Sequence, residues 1–598
     1  MKIISGWRSS KYLARFGIFL IIIALITGIP VSYGVSGNQP SQNLEIYTWY
    51  DLDEVRDNLD GDHILMNDLN ATTYGYEELA SPAANGRKGW EPIGFVDDNI
   101  PAPSIGCGQP VVADEPIWRH GLTGTFDGQG YKICDLFINR PDESNVGLFR
   151  FVVNGYIENI DMVNAIVIGK DRVGALVGSH HGIVVNSYSS ASVTGTWMVG
   201  GLVGKNGIVS NSYSTGNVTG ILDVGGLVGF NNLGTVTNSY SSAYVTGEHG
   251  VGGLVGWNGW GTVTNSYSSA YVTGEYGVGG LVGRMDLGSV SNSYYNYNEV
   301  LINGENIITT GALFDEDFNE WLTNDKFLDI NDRLSQESGY YVVNNIADFK
   351  ELLAFGQNSS LKFRLKSDLN LATEPNLYIP YLAGEFDGNG HRISDLSLNL
   401  NPVSPLGLFG WLTPGGKITD LGVEDVNITG LDYVGGLVGR TRSGNLSRCY
   451  STGSVTGDMY VGGLMGENML GTISNSYSTS DITGRLLIGG LVGYNQGSVS
   501  SCYSTGTVNG EEEVGGLVGH SVSYSDVSNS FWNTETSGQP TSDGGTGKTT
   551  AEMKNIATFS GATWDIIAVA NLSIRNPSYI WNIVNGVTYP FLSWERVS

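Results

Sequence analysis

The sequence predicts an all-β protein: two tandem right-handed parallel β-helix (β-solenoid) arrays with small helical and strand caps. Three observations predict it. The phrase VGGLVG, or a close variant, begins at Val173, Val199, Val224, Val251 and Val278, then again at Val434, Val461, Ile488 and Val514, in steps of 25–27 residues within each array. Such a period marks stacked units that cannot bury a core singly but can do so together. Aligning the units gives columns. One is aromatic (Tyr188, Tyr213, Tyr240, Tyr267, Tyr294; Tyr450, Tyr477, Tyr503, Phe531) and another is asparagine (Asn186, Asn211, Asn238, Asn265, Asn292; Asn475, Asn529). In-register parallel strands favour both. Finally, the second half repeats the first: Glu385–Ile393 answers Thr125–Ile133, and Gly407–Phe409 answers Gly147–Phe149, both at an offset of 260.

Within a unit, a Gly-flanked apolar phrase is followed by a β-branched, hydroxyl-rich run, with no 3.6-residue spacing. Three short strands and three turns fit about 26 residues, with coils roughly 4.8 Å apart.

Taken in order, residues 1–34 read as a signal peptide or an N-terminal membrane anchor. Lys2, Arg8, Lys11 and Arg15 precede the apolar run Phe16–Ile29 and the small-x-small site Ser32-Tyr33-Gly34. Residues 35–43 are a linker, and 44–336 are the first capped solenoid. Its cap is a helical pattern at Asp51–Leu59 and a strand at His63–Asn70, which would cover the unpaired edge of an open coil. Residues 71–120 lack the repeat and form an irregular insertion. The repeats proper run over 173–296. Residues 337–598 are the second capped solenoid, with a recurring cap at Tyr340–Phe355, repeats at 434–536 and a C-terminal cap at 538–598 that is rich in aromatic residues.

The chain has 598 residues, 15% of them charged, and a formal net charge of −28. That balance excludes nucleic acid, whose binding needs basic patches. Cys449 and Cys502 share a column with Ser476 between them, which sets them two coils or ~10 Å apart, too far for a disulfide. Whether Cys107 and Cys134 pair is left open, as is whether Leu or Val of the GLVG phrase faces the core.

No catalytic, cofactor or metal site is expected. Ser542–Thr549 has the outline of a phosphate-binding loop but carries Ser where the motif needs its first Gly. Asp127 and Asp387 are read as caps of Gly turns. A row between the coils (Asp171, Asp223, Glu248, Glu275, Asp432, Asp458, Glu511–Glu513) reads as solvated turn charge with at most weak calcium binding. His180-His181 reads as a solvated pair. If an enzymatic cleft existed, the insertion with Trp90, Trp118, Asp97, Asp98 and Glu115 would be its place, and Asp97, Asp98, Asp127 and Asp387 its acids.

On the nine copies of the glycine–leucine–hydrophobic–glycine phrase within 173–536, the sequence resembles the GLUG-motif repeat proteins. The Phe-Asp-Gly-x-Gly leaders and the Thr-Thr-Ala-Glu-Met-Lys tail resemble their usual flanks. The resemblance implies a secreted or surface-exposed bacterial or archaeal protein, often adhesin-like. Some secreted peptidases also carry the repeat, beside a separate zinc domain. No His-Glu-x-x-His occurs here, and the repeat carries no catalytic residues to transfer. The expectation is a non-enzymatic extracellular protein that binds a glycan or another surface through exposed Tyr and Asn/Ser columns. A polysaccharide lyase or hydrolase, or a purely structural surface-layer protein, is the alternative. No membrane span is expected beyond residues 1–34.

Overall fold

A computed structural model describes residues 43–96, 119–401 and 403–595. The expectations for residues 1–42, for Asp97, Asp98, Cys107, Glu115 and Trp118, and for the last three residues lie outside these. The described chain is all-β, about 10% helix, with a β-solenoid of about 15 turns. Strands up to Leu313 pair among themselves, and those from Gln336 onward pair among themselves.

One coil shows the pattern. Its strands are His249–Gly252, Val255–Asn258, Thr262–Thr264, Tyr267–Ser268 and Tyr271–Thr273. There are five short segments, not the three expected, and a single left-handed residue, Asn265, makes the bend between the third and fourth. The Asn column supplies one bend, with φ of 46–49° from Asn186 to Asn292 and again at Asn475 and Asn529. Asn tolerates that region better than most non-Gly residues do. Strands stack in parallel register, as Val199↔Val224↔Val251 shows.

Leu and both valines of the phrase face inward: Val224, Leu227 and Val228 are all fully buried. The glycines permit close approach between coils. A Cβ on Gly256 would stand 2.5 Å from the Asp223 carbonyl carbon, and one on Gly226 would stand 2.2 Å from the Gly253 oxygen. A second Asn ladder, fully buried, runs along the end of the second strand. Asn231 Nδ2 donates to Asn258 Oδ1 at 2.8 Å, and Asn468 to Asn495 likewise.

Each array begins with a helix and a parallel strand. Thr48 caps Trp49–Glu54 in a capping box, and Asp62–Leu65 pairs with Thr125–Asp127. In the second array Asn345 caps Ile346–Lys350, and Lys362–Leu365 pairs with the Glu385 leader. That second cap seats on the last coil of the first array. Gln357 bonds both backbone groups of Ser293 at 3.2 and 3.0 Å, and Tyr294 donates to the Ala354 carbonyl at 2.6 Å. Gln357 thereby continues the column of Ser239, Ser266 and Ser293, whose hydroxyls each accept from the backbone one coil earlier. Cys134, Cys449 and Cys502 are free thiols.

Candidate functional site

The tyrosine column does not present ring faces to a ligand. In the first array neighbouring rings stack at 4.4, 4.6 and 4.8 Å from Tyr188 to Tyr267. Their faces are spent on each other. In the second array Tyr450, Tyr477, Tyr503 and Phe531 are buried beneath the C-terminal cap, with Trp564, Trp581 and Leu592. The expectation of an exposed Tyr column is therefore corrected there.

Exposed rings occur instead on the outer side of the first and fifth strands of the first array. The first-strand column reads Asp171, Trp197, Leu222, His249, Tyr276. The fifth strand carries Tyr244 directly over Tyr271. Trp197, Tyr244, Tyr271 and Tyr276 are 50%, 64%, 41% and 42% exposed, and the His249 and Tyr276 rings stack at 4.8 Å. The same columns in the second array hold Asp432, Met459, Leu486, Glu512 and Ser454, Asp481. The first array is thus aromatic where the second is largely polar and acidic.

The stripe ends at a cleft of about 370 Å³ between the arrays, lined by Tyr276, Arg284, Asp286, Trp411, Asp432 and Arg440 among others. Its origin is one position per coil. The residue before each VGG phrase is left-handed throughout: Arg172, Met198, Asp223, Gly250, Gly277, then Tyr433, Tyr460, Leu487, Glu513, with φ of 51–64°. Gly250 and Gly277 are the two without a side chain, and both line the cleft.

Charge gathers around this gap. Arg440 pairs with Glu467 and lies 3.5 Å from Asp286, which also meets Arg284 at 3.1 Å. Arg440 sits over the Trp411 ring at 4.7 Å and Arg284 over Trp257 at 4.5 Å. Asp223 is 2% exposed, and its Oδ1 is buried with no hydrogen-bond donor, as is Oδ1 of Asp432. Burial pushes Asp223 up to about 7, against the pull of Arg284 and with the push of Asp286. Burial and then Asp458 push Asp432 up to about 6.

The other predicted residues are dispersed. Asp127 and Asp387 each accept the backbone N–H two residues on at 2.8 Å, and Asp387 also binds Arg364 at 2.8 Å. Trp90 is fully buried against Trp49. His180 is not solvated: it is fully buried, and desolvation pushes it down to about 3, so it is neutral. Nor is the inter-coil row uniformly solvated, since Asp223 is enclosed. Ser542 and Asp543 close the last coil, bonding Val518 and Ser521. Among the described residues, no three His, Cys, Asp or Glu side chains converge as a metal ligand set. The sequence reading missed the Gly250–Gly277 gap. Its signal was two successive glycines at a position filled in every other coil.

Five coils (residues 195–219, 247–273, 430–456, 457–483 and 484–509) match the family model for the GLUG motif. The chain carries GLUG-motif repeats. The intervening coil that contains Val224 keeps the register of its matched neighbours, so the GLUG geometry extends beyond the matched segments. Halomucin from Haloquadratum walsbyi is 32% identical over 141 residues, covering 23% of this chain and 1% of halomucin. A "Putative Gly-rich membrane protein" from Evansella cellulosilytica is 29% identical over 190 residues, 29% of this chain and 18% of that protein. The matches thus span less than a fifth of either relative's length. The crystal structure of a "putative immunoglobulin A1 protease" from Bacteroides ovatus is similar at TM-score 0.35 and 19% identity, over 48% of this chain and 88% of that one.

Proposed function

We propose that this GLUG-repeat protein is displayed at or secreted from the cell surface and binds an extended glycan along the aromatic stripe of its first array. The carrying observation is the exposed rings on two strand columns: Tyr244 and Tyr271 one coil apart on the fifth strand, and Trp197 and Tyr276 three coils apart on the first. Large apolar groups held exposed on a rigid scaffold mark interaction surfaces, and a repeating face suits a repeating polymer. The names of the halomucin and Gly-rich membrane protein relatives support the surface location. Among the described residues, no helix is long and apolar enough to cross a membrane.

The test is retention of the full chain on immobilised polysaccharides, compared with the triple variant Trp197→Ala, Tyr244→Ala, Tyr271→Ala. Losing three ring contacts of about 0.5–1.5 kcal/mol each weakens binding roughly tenfold or more. Melting should be unchanged, because these side chains are exposed. Undiminished retention would overturn the reading.

A further inference from the structure

We propose that the cleft between the arrays is a second saccharide site, which takes a terminal or branching neutral sugar of the glycan held on the stripe. The proposal rests on the glycan reading above and adds a pocket, its residues and its ligand chemistry.

The cleft is built, not residual. Seven coils carry a side chain at the left-handed corner, at a backbone conformation that is strained for most of them. Glycine would relieve that strain anywhere, yet it occurs only in the two coils that adjoin the second array. A Cβ on Gly277 would meet nothing closer than 3.7 Å, so the space beside it is open. A Cβ on Gly250 would stand 2.8 Å from Asp223 Oδ1, so the buried carboxylate lies directly behind that glycine.

The ligand class follows from the groups that remain unsatisfied. Buried acceptors without donors are costly and rare, and Oδ1 of Asp432, which lines the cleft, is such an acceptor. The cleft is lined by two carboxylates (Asp286, Asp432) and two cations (Arg284, Arg440), and the guanidiniums are already paired with Asp286 and Glu467. An acidic sugar would have to displace Asp286 or Glu467 from the two arginines that line the cleft. A neutral sugar brings hydroxyl donors for Asp432 and Asp286 and an apolar face for the exposed Tyr276 ring. Tyr276 belongs to both stripe and cleft, so one chain can lie along the first and end in the second.

The experiment titrates the full chain calorimetrically with cellobiose, chitobiose and maltose as neutral probes, and with a diuronide as the acidic one. Gly277→Tyr fills the gap with a residue that the fold already accepts at Tyr433 and Tyr460, and Asp432→Asn removes an acceptor without changing volume. The wild type should bind at least one neutral disaccharide, and both variants should weaken it tenfold or more. The stripe variant should keep this binding while losing polysaccharide retention. No neutral binding by the wild type, equal binding by Gly277→Tyr, or preference for the diuronide would each overturn the proposal. If polysaccharide retention still depends on the stripe, the function proposed above survives that result. New reducing ends in the titrated samples would overturn the assignment as a binding site and make it a catalytic one.

Discussion

The fourth-strand tyrosines have the same spacing in both arrays and opposite surroundings. From Tyr188 to Tyr267 the column is half-buried, touched by Phe318 and Trp321 of the helix Asp315–Thr323 only at its end. From Tyr450 to Phe531 it is the floor of a second core. There Trp581 lies 6.1 and 5.8 Å from Tyr477 and Tyr503, and Tyr503 donates to the Pro590 carbonyl at 2.5 Å. Stacking is common to both columns; the cover is not. A solenoid column is therefore a neutral platform whose role is set by what folds onto it.

Removing the cover should have the largest effect. Trp581 is fully buried and contacts two column rings and Trp564. Trp581→Ala should cost about 3–5 kcal/mol of stability. It should also raise amide exchange in the fourth strands of the second array toward the rates of the first. Unaltered exchange there would mean that the cap contributes nothing to the column, and the contrast would collapse.

A smaller effect separates ring stacking from cover. Tyr477 has stacked neighbours at 5.0 and 4.8 Å, and Tyr240 at 4.6 and 4.8 Å. Replacing each by Ala removes the same two stacks. Only Tyr477 also loses contact with the cap, so its variant should be less stable than Tyr240→Ala by about 1–3 kcal/mol in calorimetric unfolding. Equal losses would assign the stability to stacking alone.

These differences mark what was legible in the sequence. The columns were, because stacking turns a 25–27-residue period directly into contacts, and one aligned unit predicts the next. The cover over Tyr477 was not. The aromatic tail reads as a cap, but its contacts with a column far earlier in the chain, such as Trp581 with Tyr477, depend on how the chain returns, which no period encodes. The cleft escaped for a related reason. It lies where the periodicity stops, and its walls come from Tyr276 and Arg284 on one array and Trp411, Asp432 and Arg440 on the other. The acid row was misread at Asp223 because sequence spacing does not reveal that a left-handed corner turns this side chain inward. The second Asn column (Asn206, Asn231, Asn258, Asn468, Asn495) stands in the sequence two residues after five of the nine GLVG phrases, a weaker signal than the more frequent Asn-Ser corner.

The corner position gives the smallest and sharpest contrast. The second array fills it with Tyr433, Tyr460, Leu487 and the exposed Glu513, whereas the first encloses the acid Asp223. Its carboxyl sits at about 7 in the folded chain, raised by burial and by Asp286 against Arg284, while the unfolded chain titrates near ~3.9. Below pH ~4 the group is protonated in both states and costs nothing. Between ~4 and ~7 the unfolded state releases its proton and the folded state holds it, so stability falls as pH rises, by about 2–4 kcal/mol in total. Asp223→Asn keeps the shape and removes the titration. It should match the wild type near pH 4 and exceed it near pH 8, with the melting curves separating between those values. Parallel profiles would show that the carboxylate finds a donor as the pH rises, and the enclosed acid would no longer distinguish the two arrays.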